Sequence, residues 1–324
     1  MTEIYCLDPA YSTTRLLTRK TPIVGNLTDA KFNKVLILPD VKNRKGEGGL
    51  RTQSYFKMSL PDKPLITVIT VVFNGEKHLE DTILSIVNQS YDNVEYIIID
   101  GGSTDGTIDI IKKYDGQIDY WVSEKDDGLY YAMNKGLFLA AGDWVNFMNC
   151  GDSFFEKNTI DKVFKYINRK GVIYGDVMFS FDGTNSVYVK AKELVHFWKG
   201  MQFVHQASFV SSDLMRKYPF DISYKLIADY NSLYQIYLSN ADFTYVNLPI
   251  CKFLAGGLSD NNPNTILESK KMIFKIHRNI NTKLFYHFRY IESFIKYNIA
   301  KYIGQSNYAL LRVAKSKLLN LLGR

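Results

Sequence analysis

Apolar positions in this chain change their spacing in a regular order. The run Ile66-Thr67-Val68-Ile69-Thr70-Val71-Val72-Phe73 is almost continuously apolar or β-branched and follows a proline, which predicts a strand buried on both faces. From Leu79 to Asn88 the apolar residues fall at 79, 83, 84, 86 and 87, a helical spacing, with Asp81 in the opening turns. Val94 to Ile99 reads as a second buried strand. Thr107 to Tyr114 reads as a second helix, opened by the capping-rich Ser103-Thr104-Asp105-Gly106. Tyr120 to Val122 predicts a short strand, Leu129 to Ala141 a third helix stopped at Gly142, and Trp144 to Met148 a further strand. This alternation predicts an α/β fold: a Rossmann-like, mostly parallel sheet flanked by helices, with right-handed crossovers. Such sheets bind ligands where loops leave the C-terminal ends of the strands.

Outside this block the pattern is different. Residues 1–62 form a leader expected to pack on the core, with one strand-like run from Val35 to Leu38 stopped by Pro39. A turn-rich stretch from Lys42 to Leu50 follows, and no chemistry is legible in the leader. The main domain is placed at 63–259, divided into a first half at 63–153 and a second half at 154–259. From 260 to 324 helical spacing returns around Met272, Ile273, Ile276 and Ile280, then over Leu284–Tyr297 and Tyr308–Leu322, a C-terminal helical extension.

Charge sharpens this division. The net charge is +7, yet residues 270–324 hold twelve Lys/Arg against the single acid Glu292, leaving −4 for the rest. A basic tail suits an anionic surface such as lipid headgroups, phosphates or nucleic acid. Cys6, Cys150 and Cys251 are scattered, with no zinc spacing, which fits a reducing cytoplasm. Met1–Ala10 lacks the charged and apolar regions of a secretory signal, and no run of about 18 apolar residues predicts a spanning helix. Tyr (23) and Phe (20) are abundant, which suits sugar contacts and ordinary packing equally.

Polar residues collect at the predicted strand ends. Phe73-Asn74-Gly75 follows the first strand and Asp100-Gly101-Gly102-Ser103-Thr104-Asp105-Gly106-Thr107 the second. A carboxylate at a strand tip can accept from a base or ribose, and glycines admit close backbone approach; a capped βα turn explains the same residues. Ser123 to Gly136 places Asp126 in a polar loop, with Asn134 and Lys135 on the helix that follows. Asn149-Cys150-Gly151-Asp152 ends the last strand, and a carboxylate there suits a hard cation such as Mg2+ or Mn2+.

Together these four stretches resemble the nucleotide-binding half of family 2 glycosyltransferases of GT-A fold, of the type used in bacterial surface polysaccharide biosynthesis. That family has a Phe-Asn or Tyr-Asn strand end, an Asp-Gly-Gly/Ser-Ser-Thr-Asp-Gly-Thr segment, a helix with Ala-x-Asn-x-Gly and a carboxylate metal motif. Here they stand in order as Phe73-Asn74, Asp100–Thr107, Ala132-Met133-Asn134-Lys135-Gly136 and Asn149–Asp152. The resemblance runs from Pro64 to Ser153 and more loosely to Ser259. It implies an inverting transfer from a nucleotide-sugar, a UDP-sugar by the pattern around Asp100, to a saccharide acceptor. By position, Asp100 would meet the uracil or ribose beside Gly101 and Gly102, and Val72, Phe73 and Asn74 would hold the base. Asp126 and Asn134 would border the donor pocket, and Asp152 would hold a divalent cation bridging the two phosphates. Two positions depart from the pattern: Gly151 stands where a second metal carboxylate is usual, and Tyr131 where Asp is frequent.

In the acceptor half, Asp229 of Ala228-Asp229-Tyr230-Asn231 aligns by resemblance with the family's catalytic carboxylate. As general base it would need a pKa raised by burial; otherwise it is a helix N-terminal carboxylate favoured by the dipole. His205, after Met201–Val204, would reach the diphosphate or the cation, or would be a hydrogen-bonded core histidine. Gly256-Gly257-Leu258-Ser259 is a mobile loop or a linker. The basic aromatic tail suits a membrane interface, hence a polyprenyl-diphosphate-linked acceptor at the inner face of the plasma membrane; a helix packed on the domain with a solvated basic face fits as well. A nucleotidyltransferase would need a Gly-rich, Arg/Lys-bearing loop where Phe73-Asn74-Gly75-Glu76 stands. With positive charge confined to the tail, no nucleic-acid partner is expected. A catalytically dead nucleotide- or carbohydrate-binding relative stays open.

Overall fold

The computed structural model describes residues 3–22, 35–165, 169–180, 186–257 and 262–303. Ten strands form one sheet: β1 (Gly46–Gly48), β2 (Ile66–Val72), β3 (Val94–Asp100), β4 (Tyr120–Ser123), β5 (Trp144–Phe147), β6 (Ser153–Phe154), β7 (Val172–Ser180), β8 (Ser186–Val189), β9 (Ser208–Ser211) and β10 (Phe243–Leu254). The order across the sheet is β1-β4-β3-β2-β5-β9-β7-β10-β6, with β8 paired to β7. β4, β3, β2 and β5 run parallel, β10 runs parallel to β7, and β9 is antiparallel to both neighbours. The fold is α/β, a mixed, mostly parallel sheet with flanking and C-terminal helices, as the GT-A resemblance implies.

Eight α-helices accompany the sheet among the described residues: α1 (Leu79–Val87), α2 (Thr107–Lys113), α3 (Leu129–Leu139), α4 (Thr159–Phe164), α5 (Ser212–Lys217), α6 (Ala228–Leu238), α7 (Pro263–Ile276) and α8 (Ile280–Ile303). Every residue of β2 and β3 is buried, because both faces are covered. The period of two sorts them: Ile69, Val71, Ile97 and Ile99 pack with Met133 and Leu137 of α3, while Ile66, Val68 and Ile98 pack with Ile83 and Ile86 of α1. After β4 the chain crosses back to β5 on the far side of β2. The loops after β2 and β5 therefore flank a topological switch point, the place where open α/β sheets bind ligands.

The leader differs from the sequence expectation. Val35–Leu38 is irregular, and the strand forms instead in the turn-rich stretch, as β1 against β4. Glycine is the reason: a β-carbon at Gly46 or Gly48 would lie 2.9 or 2.6 Å from the Trp121 indole, so only glycines let β1 lie there. Arg51 then anchors the leader in the body, donating to Glu95 and to the Leu139 carbonyl with only 2% of its surface exposed. α3 ends at Leu139, two residues before the approach to Gly142 is complete. A β-carbon at Gly142 would meet the Leu65 carbonyl at 2.6 Å, so that glycine serves close packing rather than a helix cap. In the tail, the helix expected over 284–297 is the longer α8, while Tyr308–Leu322 and residues 258–261 lie outside the described residues.

Candidate active site

The loop after β2 is fixed to the loop after β3. Asn74 has a left-handed backbone (φ 52°), tolerable for Asn, and its Oδ1 accepts from Thr104 N at 2.9 Å while its own N–H donates to Ser103 Oγ at 2.7 Å. Gly75 N–H donates to Thr107 Oγ1 at 2.8 Å, and the Val72 carbonyl accepts from Gly101 N–H at 2.9 Å. Lys45 of the leader donates to the carbonyls of Gly102 (2.8 Å) and Ser103 (2.9 Å). Arg44 pairs with Glu124 at 2.9 Å. The leader, in which sequence reading found no chemistry, thus fastens two loops of the site.

Asp100 is fully buried, and both its oxygens accept hydrogen bonds from the protein: Gly102 N, Ser103 N, Ser103 Oγ and Ser123 Oγ. It shapes the glycine loop, as a capped βα turn does, with both oxygens bonded within the protein. The carboxylate that does face the loop is Asp126. A β-carbon added at Gly101 would sit 3.0 Å from Asp126 Oδ2 and 3.4 Å from the ring of Phe73, which is 66% exposed. Gly101, Phe73 and Asp126 therefore wall one small space. Burial raises the Asp126 pKa, a rise opposed by the Gly128 N–H bond and the Lys135 charge.

Asn134, one turn of α3 beyond Tyr130, is spent on the backbone. Its Nδ2 donates to the Phe220 carbonyl (2.8 Å) and its Oδ1 accepts from Phe220 N (3.1 Å), so both ends clasp the chain before α6. With Tyr131 it lines a cavity of about 1320 Å³ on the outer side of α3, shared with Phe138, Tyr224, Gln235 and Lys275.

The loop after β5 holds Asp152, 5% exposed. Its Oδ1 accepts from Leu254 N–H at 2.9 Å and its Oδ2 from Gln206 Nε2 at 2.7 Å. Burial pushes its pKa up to about 6, against those bonds and the His205 charge. Gly151 has φ +96° and a β-carbon there would meet Leu254 at 3.2 Å, so the backbone itself disfavours a second carboxylate. Two buried amide oxygens of this neighbourhood, Asn149 Oδ1 and Gln206 Oε1, lack a hydrogen-bond partner. Among the described residues no group of three or more His, Cys, Asp or Glu is spaced to hold a metal unaided.

Asp229 stands in the first turn of α6 with both oxygens engaged. Tyr130 OH donates to Oδ1 at 2.9 Å and His205 Nδ1 lies 2.9 Å from Oδ2. Burial pushes this carboxyl up, but the His205 bond and charge, the Tyr230 backbone N–H and Tyr130 outweigh it, and the pKa lies below the ordinary value. The rise expected from sequence is therefore reversed. His205 Nε2 lies 3.3 Å from Asn149 Nδ2, so one hydrogen-bonded chain links Tyr130, Asp229, His205 and Asn149. The site joins the Asp126 loop, the Asp152 loop and the start of α6. Tyr130, Asn149 and Gln206 are its members that sequence reading did not assign. Tyr130 lies in the Gly128–Gly136 stretch, beside the Tyr131 that departs from the family pattern.

Residues 67–222 match the sequence model for Glycosyl transferase family 2. An uncharacterized glycosyltransferase of Mycobacterium tuberculosis is 30% identical over 223 residues, which cover 66% of this chain and 85% of that protein. The chain belongs to glycosyltransferase family 2. As a family 2 glycosyltransferase it shares its fold with two solved structures. Mannosyltransferase PcManGT of Pyrobaculum calidifontis, in complex with GDP-Man and Mn2+, has a TM-score of 0.55 and 15% identity over 79% of this chain and 81% of that one. S. aureus TarS 1–349, in complex with UDP, has a TM-score of 0.52 and 17% identity, and the alignment spans 64% of each chain.

Proposed function

We propose that this family 2 enzyme is an inverting transferase. It moves a sugar from a UDP-sugar to a saccharide acceptor carried on a lipid, at the cytoplasmic face of a membrane, in surface polysaccharide assembly. The observation that carries the reading is the Asp229 carboxylate, kept ionised by His205 and Tyr130 beside the loops that would hold the donor. Asp229 takes the proton of the acceptor hydroxyl as its oxygen bonds to the anomeric carbon, and the bond to the diphosphate breaks on the opposite face. Tyr130, whose pKa burial and Asp229 raise, stays a donor throughout and fixes the carboxylate's second oxygen. A product anomer matching the donor's would exclude inversion.

Asp152 and the unpartnered amide oxygens of Asn149 and Gln206 are the oxygen donors a hard divalent cation takes. Bound there, Mg2+ or Mn2+ would neutralise charge on the leaving diphosphate. One carboxylate is a sparse set, so the cation would be held chiefly by the donor's phosphates and water. Asp126 and Phe73 offer a carboxylate and a ring to a base, which suits the N–H of uracil or of guanine. PcManGT and TarS carry different bases, so uridine rests on the family resemblance.

Calorimetric titration with UDP and with GDP, each with and without Mn2+, tests the reading. UDP binding strengthened by Mn2+ and weakened about tenfold or more in Asp152→Ala is expected, the loss of one charge-assisted contact. Binding of neither nucleotide would leave a family member without donor chemistry.

A further inference from the structure

We propose that α8 seats the enzyme on an anionic phospholipid surface, lying in the plane of the interface with its outward face among the lipid chains. The inference deepens the lipid-linked acceptor reading and stands on α8 alone.

α8 has two apolar faces. The inner one holds it to the body: Tyr286 is 1% exposed and donates to the Trp198 carbonyl at 2.7 Å, the Phe285 ring lies 5.2 Å from that of Trp198, and Ala300 is buried. On the outer face Ile280, Leu284, Phe288 and Ile291 are exposed, and the same four-four-three steps repeat from Ile291 through Ile295 and Ile299 to Tyr302. Their exposure runs from 42% at Ile291 to 91% at Tyr302. Single exposed apolar residues need no explanation, but a continuous stripe on a 24-residue helix does.

The step pattern says what shape of partner fits. Eleven residues in three turns is ~3.67 per turn, close to the ~3.6 of the helix, so the stripe runs straight along the axis. A second helix wound around α8 would call for a repeat of about 3.5 and a narrow seam. Here Phe294, 52% exposed, widens the stripe further. A straight, broad stripe suits a flat surface.

Charge says what kind of surface. Lys283 and Lys301 lie about five turns apart on one flank, and neither makes an ion pair among the described residues. Arg289 and Lys296 lie towards the side of Phe285 and Ala300 and share Glu292, the only acid of α8. Residues 304–324 add Arg312, Lys315, Lys317 and Arg324 with no acid. An apolar stripe edged by unpaired lysines and followed by a basic segment matches acyl chains beneath anionic headgroups. No described helix is long and apolar enough to cross a membrane, so α8 lies along the surface rather than through it.

The test uses the full chain and vesicle flotation. Wild type should float with vesicles of phosphatidylcholine plus phosphatidylglycerol and remain behind with phosphatidylcholine alone. Phe288→Glu/Ile291→Glu, both on the solvent side, should weaken that partition about tenfold or more, and Lys283→Glu/Lys301→Glu should weaken it and flatten its salt dependence. Thermal unfolding and UDP titration of each variant, run alongside, should match wild type. Equal flotation of the Phe288→Glu/Ile291→Glu variant overturns the proposal, as does a wild-type dimer that this variant splits without any vesicle binding. UDP binding without flotation defeats this inference alone; flotation without UDP binding defeats the donor reading alone.

Discussion

Asp229→Asn is the perturbation that separates a catalytic base from a helix-end carboxylate. Asparagine keeps the volume and one acceptor oxygen, so Tyr130 or His205 retains a partner. The new amide N–H then faces the other, and the imidazole can meet it by shifting its proton to Nε2. At most one or two hydrogen bonds change, a stability cost of about 1–3 kcal/mol. The chemical cost is larger. A positioned general base contributes about 10²–10⁴ in rate, and at ~1.36 kcal/mol per decade this is about 3–5 kcal/mol of barrier. Asp229 is outside the loops of Phe73, Gly101 and Asp126, so UDP affinity should change by less than about threefold, under 1 kcal/mol. The assay is UDP release from a UDP-sugar with a membrane lipid extract as acceptor, beside UDP calorimetry. pH gives a further check. The depressed pKa keeps Asp229 in its base form down through the ordinary carboxylate range, so wild-type turnover should lose this group only below that range. A rate within about tenfold of wild type, or a parallel collapse of UDP affinity, would refute the assignment.

Two other substitutions probe how the site is built. Asn134→Ala removes both hydrogen bonds to the Phe220 backbone and leaves buried groups unpaired, so thermal unfolding should register about 2–4 kcal/mol of lost stability while UDP affinity of the folded protein holds; a selective loss of UDP binding would return Asn134 to the donor pocket. Gly151→Asp restores the carboxylate usual in the family but forces a side chain onto φ +96°, which should cost about 1–3 kcal/mol in unfolding experiments. Unchanged stability would show that the loop relaxes easily.

The parallel core was legible because burial on both faces writes itself as uninterrupted β-branched runs, and β2 and β3 follow those runs nearly to the residue. β1 was not, because two of its three residues are glycines that fit the face of Trp121, a contact more than seventy residues away that no local period records. The carboxylates at strand ends were equally visible, yet their directions were not. Asp100 and Asp126 both read as ligand-facing, and only the folded loops show that the first is consumed by Ser103, Gly102 and Ser123 while the second remains open. Asp229 and His205 were found as separate motifs. Their 2.9 Å contact depends on α6 and the 205–207 turn meeting, which spacing in sequence cannot state.

That contact divides the labour between the two carboxylates. His205 touches Asp229 directly, and burial is outweighed there; at Asp152 the neutral Gln206 and Leu254 N–H do less, and burial wins. The signs for stability are opposite. Asp229, with a lowered pKa, contributes stability above the ordinary carboxylate range that is lost as pH falls through its folded pKa. Asp152, raised from 3.8 to about 6, loses stability as pH rises through that window, on the order of 3 kcal/mol. One group is ionised without any ligand, as the proposed base must be. The other is uncomfortable as an anion until positive charge arrives beside it, so a cation brought by the donor diphosphate, as proposed, would relieve it. Asymmetric environments of this kind separate the roles of paired carboxylates in one site. Were a cation to bind at Asp152, as proposed, its affinity would depend on the donor, in keeping with a loop that has a single acid and a glycine where a second would strain the chain.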